Sequence, residues 1–304
     1  MIHTLFWVVK YLLYLLALTW DTVSIGINFY RCMIVIESGG TKSTWVFNLP
    51  NDLRGKDSFR TIGLHPQELN STKAETIKAL VQEHQLQNQE VHFFGAGCES
   101  EEAKVKIKKF LEAFGLDVQQ VQTDLHAACV AHLGQKRGMV GIIGTGAVAA
   151  LFNGEKVIQQ SSGLGYMLGD EGSGFDIGKR LIVQHLNHQL PSEITKEIDT
   201  YFEYRSIVHR VQESDGRMKI AGLTKIVRKY SDDPVIFKIL KEAFSDFCKT
   251  ALLPIQENHP IHFIGSVAYY FQEELKSTLS SMGYEMGGVE KEAVEGVFEF
   301  LNKR

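Results

Sequence analysis

Two strand–glycine turn–strand units constrain this chain more than any other feature. The first joins the apolar strand 33–36 to the strand 44–47 through a turn containing Gly39-Gly40-Thr41. The second joins 139–143 to 147–152 through Gly144-Thr145-Gly146. Each unit opens a segment in which strands and helices alternate, as in α/β proteins. The repeat predicts two related α/β lobes with a cleft between them.

Length and composition agree with a two-lobed globular protein. The chain has 304 residues, of which 44% are hydrophobic and 22% charged. The length exceeds that of most single cores, and the composition is globular rather than disordered. The net charge of −4, with no block of basic residues, argues against a nucleic-acid partner.

The cysteine pattern points to a reducing compartment. The four cysteines lie far apart in the sequence and form no C-x-x-C pair; they are Cys32, Cys98, Cys129 and Cys248. This spacing argues against a zinc site and a disulfide framework. We expect buried thiols in a cytoplasmic protein.

Residues 1–32 form an apolar N-terminal extension whose role stays open. Leu5 to Trp20 is almost wholly apolar, but a 16-residue helix covers about 24 Å, less than the ~30 Å of a bilayer core. No basic n-region or A-x-A site marks a signal peptide. The extension is therefore a short anchor, an added packing helix, or a segment outside a native protein that begins at Met33. Only the anchor would give the chain a membrane partner.

Local signals place the main helices. Thr72 with Glu75 fits a capping box, and Ser100 fits the cap of a helix that ends at Gly115. Asp233-Pro234 is typical of a helix start, and the apolar spacing after it indicates a core-facing helix. A last helix is predicted over 290–302.

The two glycine turns could each hold phosphate, because backbone N–H groups in a tight turn form an anion nest. Neither has the spacing of a Walker A loop. Asp124 follows a strand and precedes a helix, so it is either an N-cap or a side chain that points into the cleft. Local sequence alone favours the cap.

The stretch Gly163–Gly174 is the most unusual segment of the chain. Its sequence, GLGYMLGDEGSG, suits a loop around a polar ligand and also the N-terminal cap of the next helix. Gly178 inside that helix costs about 1 kcal/mol relative to Ala, which predicts a close approach by another part of the chain.

Taken in order, these motifs resemble the N-acetylglucosamine kinases of the BadF/BadG/BcrA/BcrD ATPase family, which have the actin–hexokinase–Hsp70 superfold. The resemblance extends from Met33 to the C-terminus and rests on IESGGTKSTW, GLHP, FFGAGC, TDLHAA, GTGA, GLGYMLGDEGSGFDIGKRL, IAGL and FIGSVA. It implies ribonuclease H-like lobes that close on ATP, Mg²⁺ and an amino sugar. The lobes would comprise residues 33–128 with 290–304, and residues 129–289.

The resemblance also implies roles for individual residues. Asp124 matches the catalytic, sugar-binding carboxylate, and Glu37 would hold Mg²⁺ through water. The ATP-binding positions would be Gly39, Gly40, Thr41, Lys42, Gly144, Thr145, Gly146, Gly222, Gly265, Ser266 and Ala268. The sugar-binding positions would be His65, Gly163, Leu164, Gly165 and Asp170. A homodimer is compatible with the resemblance.

Three residues depart from the family pattern. Glu37 stands where a shorter acid is common, His65 where Asn is usual, and Ala147 where Ser is common. Neutral His offers one donor and one acceptor, as Asn does, but with a different reach. These changes bear on which sugar is bound.

Two other hypotheses stay open at this point. An ATPase that activates an acyl-CoA dehydratase would hold an iron–sulfur cluster between two subunits, with Cys98 and Cys129 as candidate ligands. A non-catalytic sugar sensor would keep the fold without turnover; the departures favour it, whereas the retained Asp124 argues against it.

Overall fold

Two five-stranded sheets organise the chain. The computed structural model describes residues 32–48, 56–203, 206–213 and 215–303. The hypotheses about the N-terminal extension concern residues 1–32, of which 1–31 lie outside these ranges. Among the described residues, no helix is both long and apolar enough to cross a membrane.

The first sheet contains both antiparallel and parallel neighbours. Its strands are β1 (Met33–Ser38), β2 (Lys42–Asn48), β3 (Lys56–Ile62), β4 (Glu90–Gly95) and β5 (Asp117–Gln122), in the order β3-β2-β1-β4-β5. The hairpin strands β1, β2 and β3 pair antiparallel, and β4 and β5 run parallel to β1. Helix α1 (Ser71–Glu83) connects β3 to β4, and helix α2 (Glu101–Glu112) connects β4 to β5.

The second sheet repeats this topology. Its strands are β6 (Arg137–Ile143), β7 (Ala147–Asn153), β8 (Val157–Ser162), β9 (Ile261–Ile264) and β10 (Met286–Glu290), in the order β10-β9-β6-β7-β8. Here too three hairpin strands pair antiparallel, and the two later strands are parallel to the first. The prediction of two related α/β halves is confirmed.

The other helices lie mostly between β8 and β9. In chain order they are α3 (Asp124–Leu133), α4 (Gly174–Leu186), α5 (Ser192–Tyr201), α6 (Ile207–Arg210), α7 (Gly216–Gly222), α8 (Thr224–Lys229), α9 (Pro234–Phe247), α10 (Ser266–Tyr270), α11 (Gln272–Ser281) and α12 (Val294–Asn302). Asp233 caps α9 by accepting hydrogen bonds from two backbone N–H groups. The apolar face predicted for α9 is buried, which confirms it as a core helix.

A hydrophobic cluster shared by both sheets contains helices α3 and α12. Val35 of β1 and Val140 of β6 are both fully buried in this cluster, together with Ala127 of α3 and Val297 of α12. Each sheet also has a separate cluster on its other face. The two helices therefore form a layer that contacts both halves of the chain.

Several local predictions are corrected by the structure. Asn70, rather than Thr72, caps α1, because its side chain accepts a hydrogen bond from the N–H of Lys73. The segment predicted as a helix from 290 is divided: Glu290 ends β10, and α12 begins at Val294. The cap predicted at Ser100 is confirmed by a 3.2 Å hydrogen bond from the N–H of Ala103.

Candidate active site

The first glycine turn links β1 to β2. The N–H of Gly39 donates a 2.9 Å hydrogen bond to the carbonyl of Lys42, which closes the turn. On one side the turn rests on Gly63, where a Cβ would come within 2.5 Å of the backbone of Gly39 and Gly40. On the other side, a Cβ added at Gly40 would meet nothing within 4 Å. One side of the turn is thus supported and the other is open.

The second turn, Gly144–Gly146, has the same construction on the other sheet. The N–H of Gly144 donates to the carbonyl of Gly146 (2.9 Å), and the N–H of Gly174 donates to the carbonyl of Gly144 (2.8 Å). Gly265, with φ of +122°, packs against the backbone at Ile143. A Cβ added at Gly144 would likewise meet nothing within 4 Å. The N-terminus of α4 therefore supports this turn.

The two turns fit phosphate oxygens. Within the described residues, no hydrogen bond is donated by the backbone N–H groups of Gly40, Thr41, Thr145 and Gly146. Unpaired N–H groups in a tight turn, and those at a helix N-terminus, attract anions. The open space above Gly40 and Gly144 leaves room for such a group.

Asp124 is the first residue of α3, directly after β5. Local sequence favours Asp124 as the N-cap of this helix, but the structure shows that Thr123 is the cap. The hydroxyl of Thr123 accepts a 3.1 Å hydrogen bond from the N–H of His126. One carboxylate oxygen of Asp124 accepts a 2.8 Å hydrogen bond from the N–H of Leu125. Burial, together with the negative charge of Glu99, raises the pKa of Asp124 to about 6. Its carboxylate is therefore not needed as the helix cap.

 His65 lies close to Asp124 in the folded chain, although the two residues are 59 positions apart in the sequence. The positive charge of His65 in its protonated form acts on the Asp124 carboxyl and opposes the rise in its pKa, which burial causes. Nδ1 of His65 accepts a 3.3 Å hydrogen bond from the N–H of Gln67, which fixes the ring. The ring packs on Gly97, where a Cβ would collide with it. The loops after β3 and β4 therefore meet beside Asp124.

Glu37, at the carboxyl end of β1, is the second partly buried acid of the site. It accepts a 2.7 Å hydrogen bond from the N–H of Val294, the first residue of α12. Burial raises the pKa of Glu37 to about 7, and the nearby charges of Glu292 and Asp124 contribute to the rise. No cluster of three or more metal-ligating side chains occurs in the described ranges. Magnesium commonly uses one or two carboxylates with water and phosphate, so Glu37 still fits an indirect ligand.

Lys42 has a partner that the sequence did not reveal. Its ammonium group lies 2.6 Å from Oε1 of Glu292, which also accepts a hydrogen bond from Arg60 (3.2 Å). The hydroxyl of Thr44 donates to the other oxygen, Oε2 (3.0 Å). Burial alone would raise the pKa of Glu292, but the hydrogen bond and positive charge of Lys42 hold this pKa below its usual value. Glu292 lies far away in sequence and carries no local motif, so only the folded chain shows this contact.

The glycine-rich loop that begins at Gly163 is largely exposed. Leu164 is 67% exposed, and the loop also presents Met167 and Leu168 to solvent. Gly165 has open space around its Cα, and the N–H of Gly169 donates to its carbonyl. The loop thus offers apolar side chains and an open backbone on one surface.

Asp170 ends this loop but lies against the second glycine turn. It is 3% exposed, and its carboxylate accepts a 3.3 Å hydrogen bond from the N–H of Ala147. The guanidinium of Arg217 lies 3.6 Å away and also stacks on the ring of Tyr166. Burial raises the pKa of Asp170, while Ala147 and Arg217 oppose the rise. Asp170 therefore connects the loop to the turn. Sequence analysis did not identify Arg217.

The segment after Asp170 also forms the N-terminal cap of α4, as the sequence predicts. Ser173 accepts a 3.2 Å hydrogen bond from the N–H of Asp176 and so caps α4. A Cβ at Gly178 would overlap the carbonyl oxygen of Ile220 in α7, which confirms the predicted close approach.

The remaining predicted nucleotide positions surround the second turn. A Cβ at Gly174 would lie 3.4 Å from Val267 and 3.5 Å from Thr224, so the segments after Gly265 and Gly222 converge there. Ser266 is exposed, whereas Ala268 is buried. These positions stay predictions of nucleotide contact.

The fold is shared with solved structures. A candidate N-acetylglucosamine kinase from Porphyromonas gingivalis is 27% identical, with a TM-score of 0.78 over 90% of this chain and 99% of that one. A ROK family glucokinase from Streptomyces griseus, solved with glucose and AMPPNP, is 16% identical, with a TM-score of 0.57 over 90% of this chain and 100% of that one. This is the actin/hexokinase-like fold.

A curated relative supports the same resemblance. It is the N-acetylmuramic acid/N-acetylglucosamine kinase of Clostridium acetobutylicum, 28% identical over 200 residues, which are 59% of this chain and 65% of that kinase. The matched part is therefore less than two thirds of the relative's length. No family model matches the sequence. The resemblance to N-acetylglucosamine kinases is confirmed by these similarities.

Nothing in the comparisons favours the two other hypotheses. Cys98 and Cys129 are each 0% exposed, which confirms the prediction of buried thiols. Burial raises the pKa of each thiol to about 12. Neither side chain reaches the surface of this chain, where a cluster shared with a second subunit would lie.

Proposed function

We propose that this protein is an amino-sugar kinase that transfers the γ-phosphoryl group of ATP to the 6-hydroxyl of N-acetylglucosamine. The observation that carries the proposal is the position of Asp124: a partly buried carboxylate whose charge acts on Glu37, which stands two residues before the first of two open glycine turns. The fold and the named relatives support the same reaction.

The two turns would hold the phosphates of ATP. The N–H groups of Thr41 and Thr145 are directed by two different sheets, so phosphate oxygens could be held from both halves of the chain. Magnesium, when bound, would neutralise phosphate oxygens, with Glu37 as an acceptor for one of its waters.

Asp124 would orient the sugar hydroxyl and accept its proton. A carboxyl group with a pKa raised by burial to about 6 is mostly ionised at pH 7, yet it is a stronger base than an ordinary aspartate. Phosphoryl transfer has a loose transition state, so alignment of the hydroxyl contributes more than early proton removal. His65 lies beside Asp124 and would contact another sugar hydroxyl.

The proposal is tested by measuring ADP release by the full chain with Mg-ATP and a panel of sugars. The panel contains N-acetylglucosamine, glucosamine, N-acetylmannosamine, N-acetylmuramic acid and glucose. We expect N-acetylglucosamine to give the highest kcat/KM and Asp124→Asn to lower kcat by about 10²–10⁴-fold. The matched control is Asp232→Asn at an exposed position, which should keep full activity. Turnover that survives in Asp124→Asn would contradict the assigned role.

A further inference from the structure

Arg217 is a cation beside the second glycine turn whose hydrogen-bond donors are unused. Its guanidinium lies 3.6 Å from Oδ2 of Asp170 and 5.2 Å from the centre of the Tyr166 ring. Neither contact is a hydrogen bond, and within the described residues none of the five N–H donors of Arg217 makes one. The guanidinium is thus held between an acid and an aromatic ring rather than by hydrogen bonds.

The backbone that carries Arg217 is fixed by helix packing. Arg217 is the second residue of α7, and the backbone of α7 is in tight contact with α4 at Gly178. Helix α4 begins four residues after Asp170. The Tyr166 ring packs edge-on against Phe175 of the same helix, with the ring centres 5.0 Å apart. Both partners of the guanidinium are therefore attached to the frame that α4 and α7 form.

Asp170 presents one free carboxylate oxygen beside the second glycine turn. Its side chain is almost fully buried, and Oδ1 accepts the hydrogen bond from the N–H of Ala147. Oδ2 accepts no hydrogen bond from any described residue, although it lies 2.9 Å from the position that a Cβ at Gly146 would take. A buried carboxylate oxygen without a donor is costly, and Asp170 also has a left-handed φ of +64°, which favours glycine. A hydroxyl of a bound ligand would supply the donor and would account for an aspartate at this position.

We propose that Arg217 is a positioning residue that fixes the Asp170 carboxylate to accept a hydrogen bond from a hydroxyl of the bound sugar. The inference rests on the proposed function and adds a residue to its sugar site. The positive charge attracts Oδ2, and the ring of Tyr166 keeps the planar guanidinium in place. Because an ionised carboxylate only accepts hydrogen bonds, this site selects a ligand that donates one.

The test is a double-mutant cycle on sugar binding by the full chain. Titration calorimetry measures the Kd of N-acetylglucosamine and of Mg-ADP for the wild type, Arg217→Gln, Asp170→Asn and the double variant. The control is Arg137→Gln, at the start of β6. The side chains of Arg137 and Arg217 have nearly equal exposure, 46% and 45%, and Arg137 likewise has one acidic partner, Glu257. Thermal unfolding verifies that each variant is folded.

We expect Arg217→Gln to raise the Kd of N-acetylglucosamine by about tenfold and to leave that of Mg-ADP within about twofold, whereas Arg137→Gln changes neither. In the Asp170→Asn background the Arg217 change should cost less than about twofold, because the carboxylate through which Arg217 acts is absent there. Additive effects in the double variant would mean that Arg217 contacts the sugar itself. Equal losses of sugar and nucleotide affinity would mean that it supports the whole turn. Either result overturns the inference.

A pH profile of sugar binding separates positioning from a general structural role. Burial raises the pKa of Asp170 and the charge of Glu171 adds to the rise, whereas Ala147 and Arg217 oppose it. Without Arg217 this pKa rises further, so on acidification Arg217→Gln should lose sugar affinity at a higher pH than the wild type does. Arg217→Lys keeps the charge and should restore the wild-type profile. An unchanged profile in Arg217→Gln would contradict the proposal.

Binding and turnover are measured separately, so the inference and the proposed function can fail separately. If N-acetylglucosamine binds with the expected loss in Arg217→Gln but is not phosphorylated, the kinase function fails and the role of Arg217 stands. If it is phosphorylated but Arg217→Gln binds it as the wild type does, the inference alone fails. If it does not bind to the wild type, both are overturned.

Discussion

The carboxyl group of Asp124 lowers the stability of the folded protein at neutral pH, because burial disfavours its charged form. The pKa of a free aspartate is about 3.9, whereas burial raises the pKa of Asp124 to about 6. Between these two pH values the folded state binds more protons than the unfolded state. Stability attributable to this group therefore falls as pH rises from about 4 to 6 and stays reduced above that range.

This linkage predicts that Asp124→Asn stabilises the protein at neutral pH. We expect the free energy of unfolding at pH 8 to increase by roughly 1–3 kcal/mol, because the amide carries no charge to bury. The difference should disappear as pH falls towards 4. Urea unfolding followed by circular dichroism at several pH values measures it. Exposed Asp232→Asn is the control, and a gain that does not depend on pH would contradict the explanation.

At the residue scale, the predictability of the site depended on sequence distance. Thr41 and Thr145 stand in glycine turns, so local motifs propose them as phosphate-binding residues. Asp124 enters as a catalytic candidate only through the family resemblance, because its local sequence favours a helix cap. Glu292, which pairs with Lys42, comes from the far end of the chain and has no motif. Arg217 likewise reaches Asp170 only in the folded state. Long-range contacts of this kind follow from packing, which a single sequence does not specify.

At the element scale, turns and amphipathic helices were predictable, and polar edge strands were not. The hairpins around both glycine turns and the buried face of α9 follow from apolar periodicity. Strand β3 has largely exposed side chains and lacks a clear apolar pattern, so it was missed. Strand β10 contains Gly287 and Gly288, which weaken a strand signal, so it is not predicted, and its last residue, Glu290, is assigned to the last helix instead.

The contact between α4 and α7 predicts an unusual effect of a Gly→Ala change. Alanine favours an isolated helix by about 1 kcal/mol, but a Cβ at Gly178 would overlap the carbonyl of Ile220. Backbone cannot move aside as a flexible side chain can. We expect Gly178→Ala to reduce the free energy of unfolding by roughly 1–3 kcal/mol.

Thermal and urea unfolding measure this loss. The control is Val183→Ala, at an exposed position of the same helix, which should change stability by less than about 0.5 kcal/mol. A stabilised Gly178→Ala variant would show that the two helices separate readily, and it would contradict the tight packing argued here.

At the scale of the whole molecule, the repeat in the sequence predicts the two related sheets. It does not predict which residues pack between those sheets. The proposed division assigns residues 290–304 to the first lobe. Helix α12 packs on β1 and β2, and its buried side chains also share a cluster with residues of the second sheet. The hydrogen bond from Val294 to Glu37 joins this helix to the strand that precedes the first glycine turn. Helix α12 is therefore placed to couple the site to the layer between the sheets.

The shared cluster predicts that a cavity in it weakens both sheets together. Phe298 of α12 is 5% exposed and belongs to the cluster that contains Val35 of β1 and Val140 of β6. Phe298→Ala should lower stability by about 3–5 kcal/mol. Hydrogen exchange should then show reduced protection in β1 and β6 alike, whereas a loss confined to β1 and its neighbours would mean that α12 stabilises the first sheet alone. Glu299→Ala, on the same helix but outside the cluster, is the control. Since both glycine turns begin where these two strands end, a joint loss would also mean that one layer of side chains supports both halves of the candidate nucleotide site.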